Sequence, residues 1–194
     1  MVLEILKQFN WVDVVIVFLL LRISYVSVKN GFVVELFKFL GTVFSIYAAF
    51  HYFTIISDRI IRHVPEEQSF PVEFMDFLTC VGLVVVVYLF FVFLRNIVCH
   101  FIKMEAVPAL SKWGGFLIGL GRAVIAASLL VFLMFICSIG YISDSAKDSY
   151  IGQRVFNVSV STYEKLWNGF MNKFAAGEKF NNVVTEVQGD YFRK

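Results

Sequence analysis

The stretch KWGGFLIGLGRAVIAASLLVFLMF, Lys112 to Phe135, is long and apolar enough to cross a bilayer, yet it carries a run of glycines and an arginine, Arg122, about two turns inside. Roughly 20 apolar residues cover about 30 Å of hydrocarbon, so the segment reads as a transmembrane helix that keeps a permanent charge. The rest of the chain agrees with that solvent. Hydrophobic residues make up 59% of its 194 positions, against about 45–50% in soluble domains. Phenylalanine alone supplies 23 of them, more apolar surface than one small soluble core absorbs.

Working outward, three further runs of the same kind appear: Trp11 to Val28, Gly31 to Ile56, and one within Phe74 to Ile102, where Phe77 to Leu94 holds no charge. The run that contains Arg122 extends from Gly115 to Ile142. Only Lys29 and Asn30 separate the first two runs, which predicts a tight antiparallel hairpin. The segment SDRIIRHVPEEQSFPVE, residues 57–73, is acidic and proline-bearing and reads as an exposed loop. After Ile142 the composition turns polar. The expectation is an all-α integral membrane protein: residues 1–143 form four transmembrane helices in two antiparallel hairpins, and residues 144–194 form a polar tail. Within the tail, Ser161 and Glu164 have capping-box spacing. Tyr163, Leu166, Trp167, Phe170, Met171 and Phe174 then recur at helical spacing, predicting an amphipathic helix around 162–175 that lies on the membrane surface with Trp167 at headgroup level, or docks on the acidic loop or a partner.

Several function classes find no support. Cys80, Cys99 and Cys137 form no C-x-x-C pair and behave as small apolar groups inside spans. His51, His63 and His100 stand singly, without ligand spacing, so neither a metal nor another cofactor is expected. No phosphate-binding loop or nucleophile motif is present, and nothing in the spans resembles a paired-aspartate or Ser/His centre, so the chain does not read as an enzyme. A formal net charge of +2 gives no reason to invoke nucleic acid. A cleaved signal peptide is not expected either, since Glu4 and Asp13 interrupt the basic n-region and no A-x-A site follows Arg22.

What remains is the charge inside the spans. Arg22, Glu35, Lys38, Arg95 and Arg122 all fall toward the membrane face that carries the short Lys29–Asn30 turn. A charge at mid-bilayer costs roughly 2.5–3.5 kcal/mol on insertion scales, so it snorkels, pairs or marks a pathway. Glu35 is the lone carboxylate of that layer, which makes it the expected counter-ion of Arg122 or of Arg22. Lys38 and Arg95 also have the option of reaching the headgroups with their own stems. Gly115, Gly119 and Ala123, at four-residue spacing, form a small-residue stripe along which another helix backbone approaches closely.

These residues also carry a resemblance. SKWGGFLIGLGRAV resembles the fourth-helix signature of the colicin V production protein family, D-R-x-x-G-x-x-x-G-x-x-R-G, through Gly115, Gly119 and Arg122; Ser111, Lys112 and Ala123 depart from it. WVDVVIV and KNGFVVE are similar to the family's early aspartate and its G-F-x-x-E, here Asp13, Gly31, Phe32 and Glu35. The resemblance implies a bacterial inner-membrane protein required for production of a secreted toxin. It further implies a four-helix segment like the one that, in some relatives, anchors an extracytoplasmic serine protease. The tail is too short for that protease and has no histidine.

Cation bias gives an orientation. Arg22, Lys29, Lys38, Arg95, Lys103, Lys112 and Arg122 lie on the turn side, and Lys7, Arg59, Arg62, Lys147 and Arg154 on the other. The positive-inside rule then places the turn side in the cytoplasm and both termini outside. The functional expectation is an accessory or scaffold protein in toxin production, secretion or envelope maintenance, working in the bilayer with a protein partner or as a homo-oligomer. The alternative is a small channel or transporter with Arg22, Glu35 and Arg122 as pathway residues.

Overall fold

A computed structural model describes residues 10–63, 71–101, 108–137, 139–174 and 177–193. It is helical throughout: α1 (Trp11–Asn30), α2 (Phe32–Ile61), α3 (Val72–Phe101), α4 (Pro108–Ile136), α5 (Gly140–Asp148), α6 (Tyr150–Leu166) and α7 (Val183–Phe192). A π-helical turn, Trp167–Met171, carries α6 on into a last turn at Asn172–Phe174. Among the described residues, four helices are long and apolar enough to cross a membrane: Trp11–Asn30, Phe32–Ile61, Val72–His100 and Ser111–Ile136.

Local chemistry sets the joints. Asn10 caps α1, its Oδ1 accepting the Trp11 N–H at 2.6 Å, while Asp13 Oδ2 accepts the Asn10 N–H at 2.8 Å. The pair is a reciprocal capping box. Between α1 and α2 stands the single residue Gly31 at φ 76°, a conformation that glycine adopts without the Cβ penalty of other residues. The next N–H, of Phe32, donates to Ser111 Oγ at 3.3 Å, so α4 supplies a bond that Gly31 has no side chain to make.

The main packing pairs are not the two expected hairpins. Helices α1 and α2 share one turn, but α1 packs on α4, and α2 packs on α3 and α4. The hairpins expected from sequence, first span on second and third on fourth, therefore describe the connections rather than the main contacts. Two glycine sites give the reason. A Cβ on Gly115 would sit 2.9 Å from the backbone of both Ser27 and Gly31, so α4 approaches α1 at backbone distance. A Cβ on Gly41 would meet the Phe91 Cβ at 2.9 Å, so a side chain of α3 fills the place that Gly41 leaves open on α2. Ser57 of α2 meets Asp76 of α3 while Gly41 meets Phe91, which makes this pair antiparallel. Helix α4 runs parallel to α2, with Glu35 beside Arg122 and the Phe50 and Phe132 rings 4.3 Å apart.

The tail belongs to this bundle. Helix α6 starts at Tyr150, capped by Ser149, rather than near residue 162. It crosses α4, α2 and α1 with Phe156, Val160, Tyr163 and Trp167 buried. Ser161 therefore lies in mid-helix, and its spacing to Glu164 marks no start. Trp167 is 6% exposed and stacks on His51, which leaves Phe170 and Phe174 as the exposed aromatics of that segment. The expected surface placement of Trp167 thus gives way to packing on the chain's own spans, because α4 and α2 offer the stripe a drier surface than the headgroups do.

Candidate functional site

Near the Gly31 end of the bundle, the first turn of α2 directs Glu35 into the seam where α1, α2 and α4 meet. Its carboxylate is fully buried, and both oxygens are occupied. Oε2 takes the Arg122 guanidinium at 2.9 Å and lies 3.0 Å from the Ser27 hydroxyl, whose single proton is shared with the Ile23 carbonyl at 2.6 Å. Oε1 takes the Asn30 amide at 2.6 Å and Lys38 Nζ at 3.2 Å. Two cations thus share one carboxylate, and the cluster carries a net positive charge. Arg122 Nε is buried with no partner among the described residues.

The glycine stripe makes this geometry possible. Gly119 lies against Ser27, and any Cβ there would collide with its hydroxyl and approach Glu35 Oε2 to 3.6 Å. Removing side-chain bulk at Gly115 and Gly119 brings the α1 backbone close enough for Ser27 and Asn30 to reach a carboxylate on α2. Ala123, fully buried, continues the same surface.

Of the five charges that the sequence places in one layer, the structure brings together Glu35, Lys38 and Arg122. Arg22 is apart. Antiparallel contact of Ser27 with Gly119 and of Gly31 with Gly115 sets it at about the level of Arg122, but it sits roughly 140° around α1 from Ser27 and is exposed on the outer face. Arg95 is also apart, half-buried, its guanidinium on Asn96 Oδ1 at 2.8 Å.

A family pattern described as colicin V production protein matches residues 12–159. The chain belongs to that family. No curated protein and no solved structure matches it. For a colicin V production protein of this kind, the matched span takes in both halves of the buried pair, the glycine stripe, and the first part of α6.

It also takes in Asp13, whose setting lies at the opposite end of the bundle. Asp13 is fully buried and receives the N-terminus of α6. Oδ1 accepts the Ser149 hydroxyl and the Ile151 N–H, each at 2.7 Å, and Oδ2 accepts the Tyr150 N–H at 3.3 Å. A carboxylate at a helix N-terminus meets both unsatisfied N–H groups and the positive end of the dipole. Asn10 Nδ2 on Ser145 O at 2.9 Å and Tyr191 Oη on Ala146 O at 2.7 Å close the same joint.

A second tail contact escaped sequence reading, which took His51 as an isolated residue. Tyr163 Oη receives the Asn181 N–H at 3.1 Å, so its own proton is directed to His51 Nδ1 at 3.0 Å. The other ring nitrogen donates to Glu178 Oε2 at 2.9 Å, and Tyr52 donates to Oε1 at 2.9 Å. Burial raises the Tyr163 hydroxyl above its ordinary range, against the downward pull of the Asn181 N–H. No local pattern flags this set, since the partners lie 112 and 127 residues from His51.

Proposed function

We propose that this member of the colicin V production family is a non-catalytic scaffold of the bacterial inner membrane, serving toxin production and secretion or the upkeep of the envelope. The observation that carries this reading is the sealed state of the buried pair. Glu35 has no exposed surface and Arg122 is 7% exposed, so the intramembrane carboxylate is spent on joining α1, α2 and α4. A permeation pathway needs charges that face a hydrated route and change partners. Here both oxygens of Glu35 are held by four groups of its own chain.

In the same proposal the Gly31 side faces the cytoplasm, where Lys29, Lys38 and Lys112 satisfy the positive-inside rule, and both termini face outward. Cysteine labelling at Arg62 and in the tail should then report one side, and labelling at Lys29 the other. The scaffold itself is tested by complementing a deletion strain with wild-type protein while measuring toxin release and envelope permeability, and by assaying the purified protein for ion and proton flux in liposomes. Restored release without flux supports the scaffold. Flux that disappears in Glu35→Gln while the protein stays folded transfers the site to the channel reading.

A further inference from the structure

The outward side of α1 differs in one respect from the exposed mid-span face of α3. On α3 the exposed side chains Val85, Val86, Leu89, Phe90 and Phe93 form a face with no charge from Phe77 to Leu94, which suits acyl chains. On α1 the exposed stripe is Val14, Phe18, Leu21, Tyr25 and Val28, and Arg22, also exposed, stands at mid-length along its edge, about 40° around the helix from Phe18. Among the described residues no acidic side chain pairs with Arg22.

Depth makes that arrangement costly in plain lipid. Helix α1 is 20 residues long, about 30 Å, the thickness of the hydrocarbon layer. Arg22 lies within about one turn of its midpoint and about 12 Å of axis from Asn30, the nearer end. Helical Cα–Cβ bonds tilt toward the N-terminus, so the stem of Arg22 sets out away from that nearer interface, and snorkelling begins in the wrong direction. Lys29 does not share the problem: it sits at the end of the helix, folded over the Tyr25 ring at 4.4 Å.

The stripe has a second property. Its members are spaced four, three, four and three residues apart, the alternation that presents one seam to a second helix crossing at about 20°. A second copy of this chain fits that seam poorly. An isologous contact across α1 brings two Arg22 guanidinium groups toward each other, and Glu35, which would have to answer them, is buried and engaged.

We propose that the outer face of α1 is the docking surface for a transmembrane helix of a different protein, one that carries an Asp or Glu in the middle of its span to pair with Arg22. The inference rests on the scaffold reading and gives it a place and a chemistry. Apolar packing along the seam supplies contact area, and the carboxylate supplies the choice of partner, because few membrane helices carry a charge at that depth.

The test uses full-length protein in native membranes with a photo-crosslinking amino acid at Phe18 or Tyr25, and at Val86 or Phe90 of α3 as the reference face. The expected result is a protein adduct from α1 positions and lipid adducts from α3 positions. Mass spectrometry of the adduct should map to a span containing Asp or Glu. Arg22→Glu should lower the adduct about tenfold or more through like-charge opposition. Changing the partner's mapped carboxylate to Lys in the Arg22→Glu background should restore it. Lipid adducts alone at α1, an adduct to a second copy, an adduct within the same chain, or a protein adduct indifferent to Arg22→Glu would each overturn the proposal. Full complementation by Arg22→Glu removes the docking surface and leaves the scaffold standing, whereas ion flux removes the scaffold itself.

Discussion

Arg122 and Arg22 lie at about the same depth, on helices that touch, and have opposite surroundings. Arg122 faces inward across a glycine-lined seam and finds Glu35 at 2.9 Å; Arg22 faces outward from the same helix pair. The difference arises from helix phase. Ser27 and the buried side of α1 are turned to α4, and Arg22 is out of register with them by more than a third of a turn. The same charged group therefore serves two ends: one guanidinium binds the bundle together, and the other is left on its surface. Substitutions should separate the two roles cleanly.

The largest effect belongs to the buried pair. Glu35→Gln strands Arg122 and Lys38 around a neutral amide, and Arg122→Gln leaves Glu35 short of its strongest partner; breaking a buried pair typically costs about 3–5 kcal/mol. Folded protein recovered in detergent should drop sharply for either change. The double substitution should regain part of the loss, since neither charge is then stranded. Strictly additive losses would mean that Ser27, Asn30 and Lys38 hold Glu35 without help from Arg122.

Next comes the seam that brings the pair together. Gly115→Leu forces a side chain into the backbone of Ser27 and Gly31 and should cost about 1–3 kcal/mol or more. Thermal denaturation in detergent measures it, and Gly82→Leu on α3, where a Cβ meets nothing within 4 Å, is the matched control. Equal melting points for the two variants would remove the stripe from the account. A somewhat smaller loss, about 1–3 kcal/mol for an unpaired buried polar group, is expected for His51→Phe, which deprives Tyr163 of its acceptor and leaves Glu178 with the Tyr52 hydroxyl alone. Limited proteolysis near Gly177 should accelerate in that variant while α1–α4 stay intact.

The smallest stability change is expected at Arg22. Arg22→Leu should shift melting by no more than about 0.5 kcal/mol, as for other surface positions, or raise it. Toxin release or envelope integrity should nonetheless fail in the complementation assay. A variant that is both stable and fully functional would make the two arginines alike in being merely tolerated, and the contrast would lose its meaning.

The sequence showed the spans because run length and composition are local quantities. Glu35 could be singled out for a related reason, being the lone carboxylate in its layer. Helix pairing was harder to read. Short connections suggest neighbours, but close approach is decided by where glycines face each other, as Gly115 faces Gly31 and Gly119 faces Ser27. The start of α6 was hidden because half of its cap is Asp13, 136 residues away from Ser149, and a capping box at Ser161 looked equally good in isolation. Arg22 was grouped with the inward charges because depth follows from position along a helix, whereas facing depends on which partner the helix chooses.

The carboxylate of Asp13 bears on how the protein is made. Among the described helices α1 is translated first, and it carries a group whose partners, Ser149, Tyr150 and Ile151, follow 136 to 138 residues later. Until they arrive, only the Asn10 N–H in the local capping box satisfies it. A nascent chain that stops short of Ser149 thus lacks three of the four partners that Asp13 has in the finished bundle. Reporters fused after α2 or α3 therefore sample an incomplete assembly, and only fusions placed beyond α6 report on the arrangement of the whole.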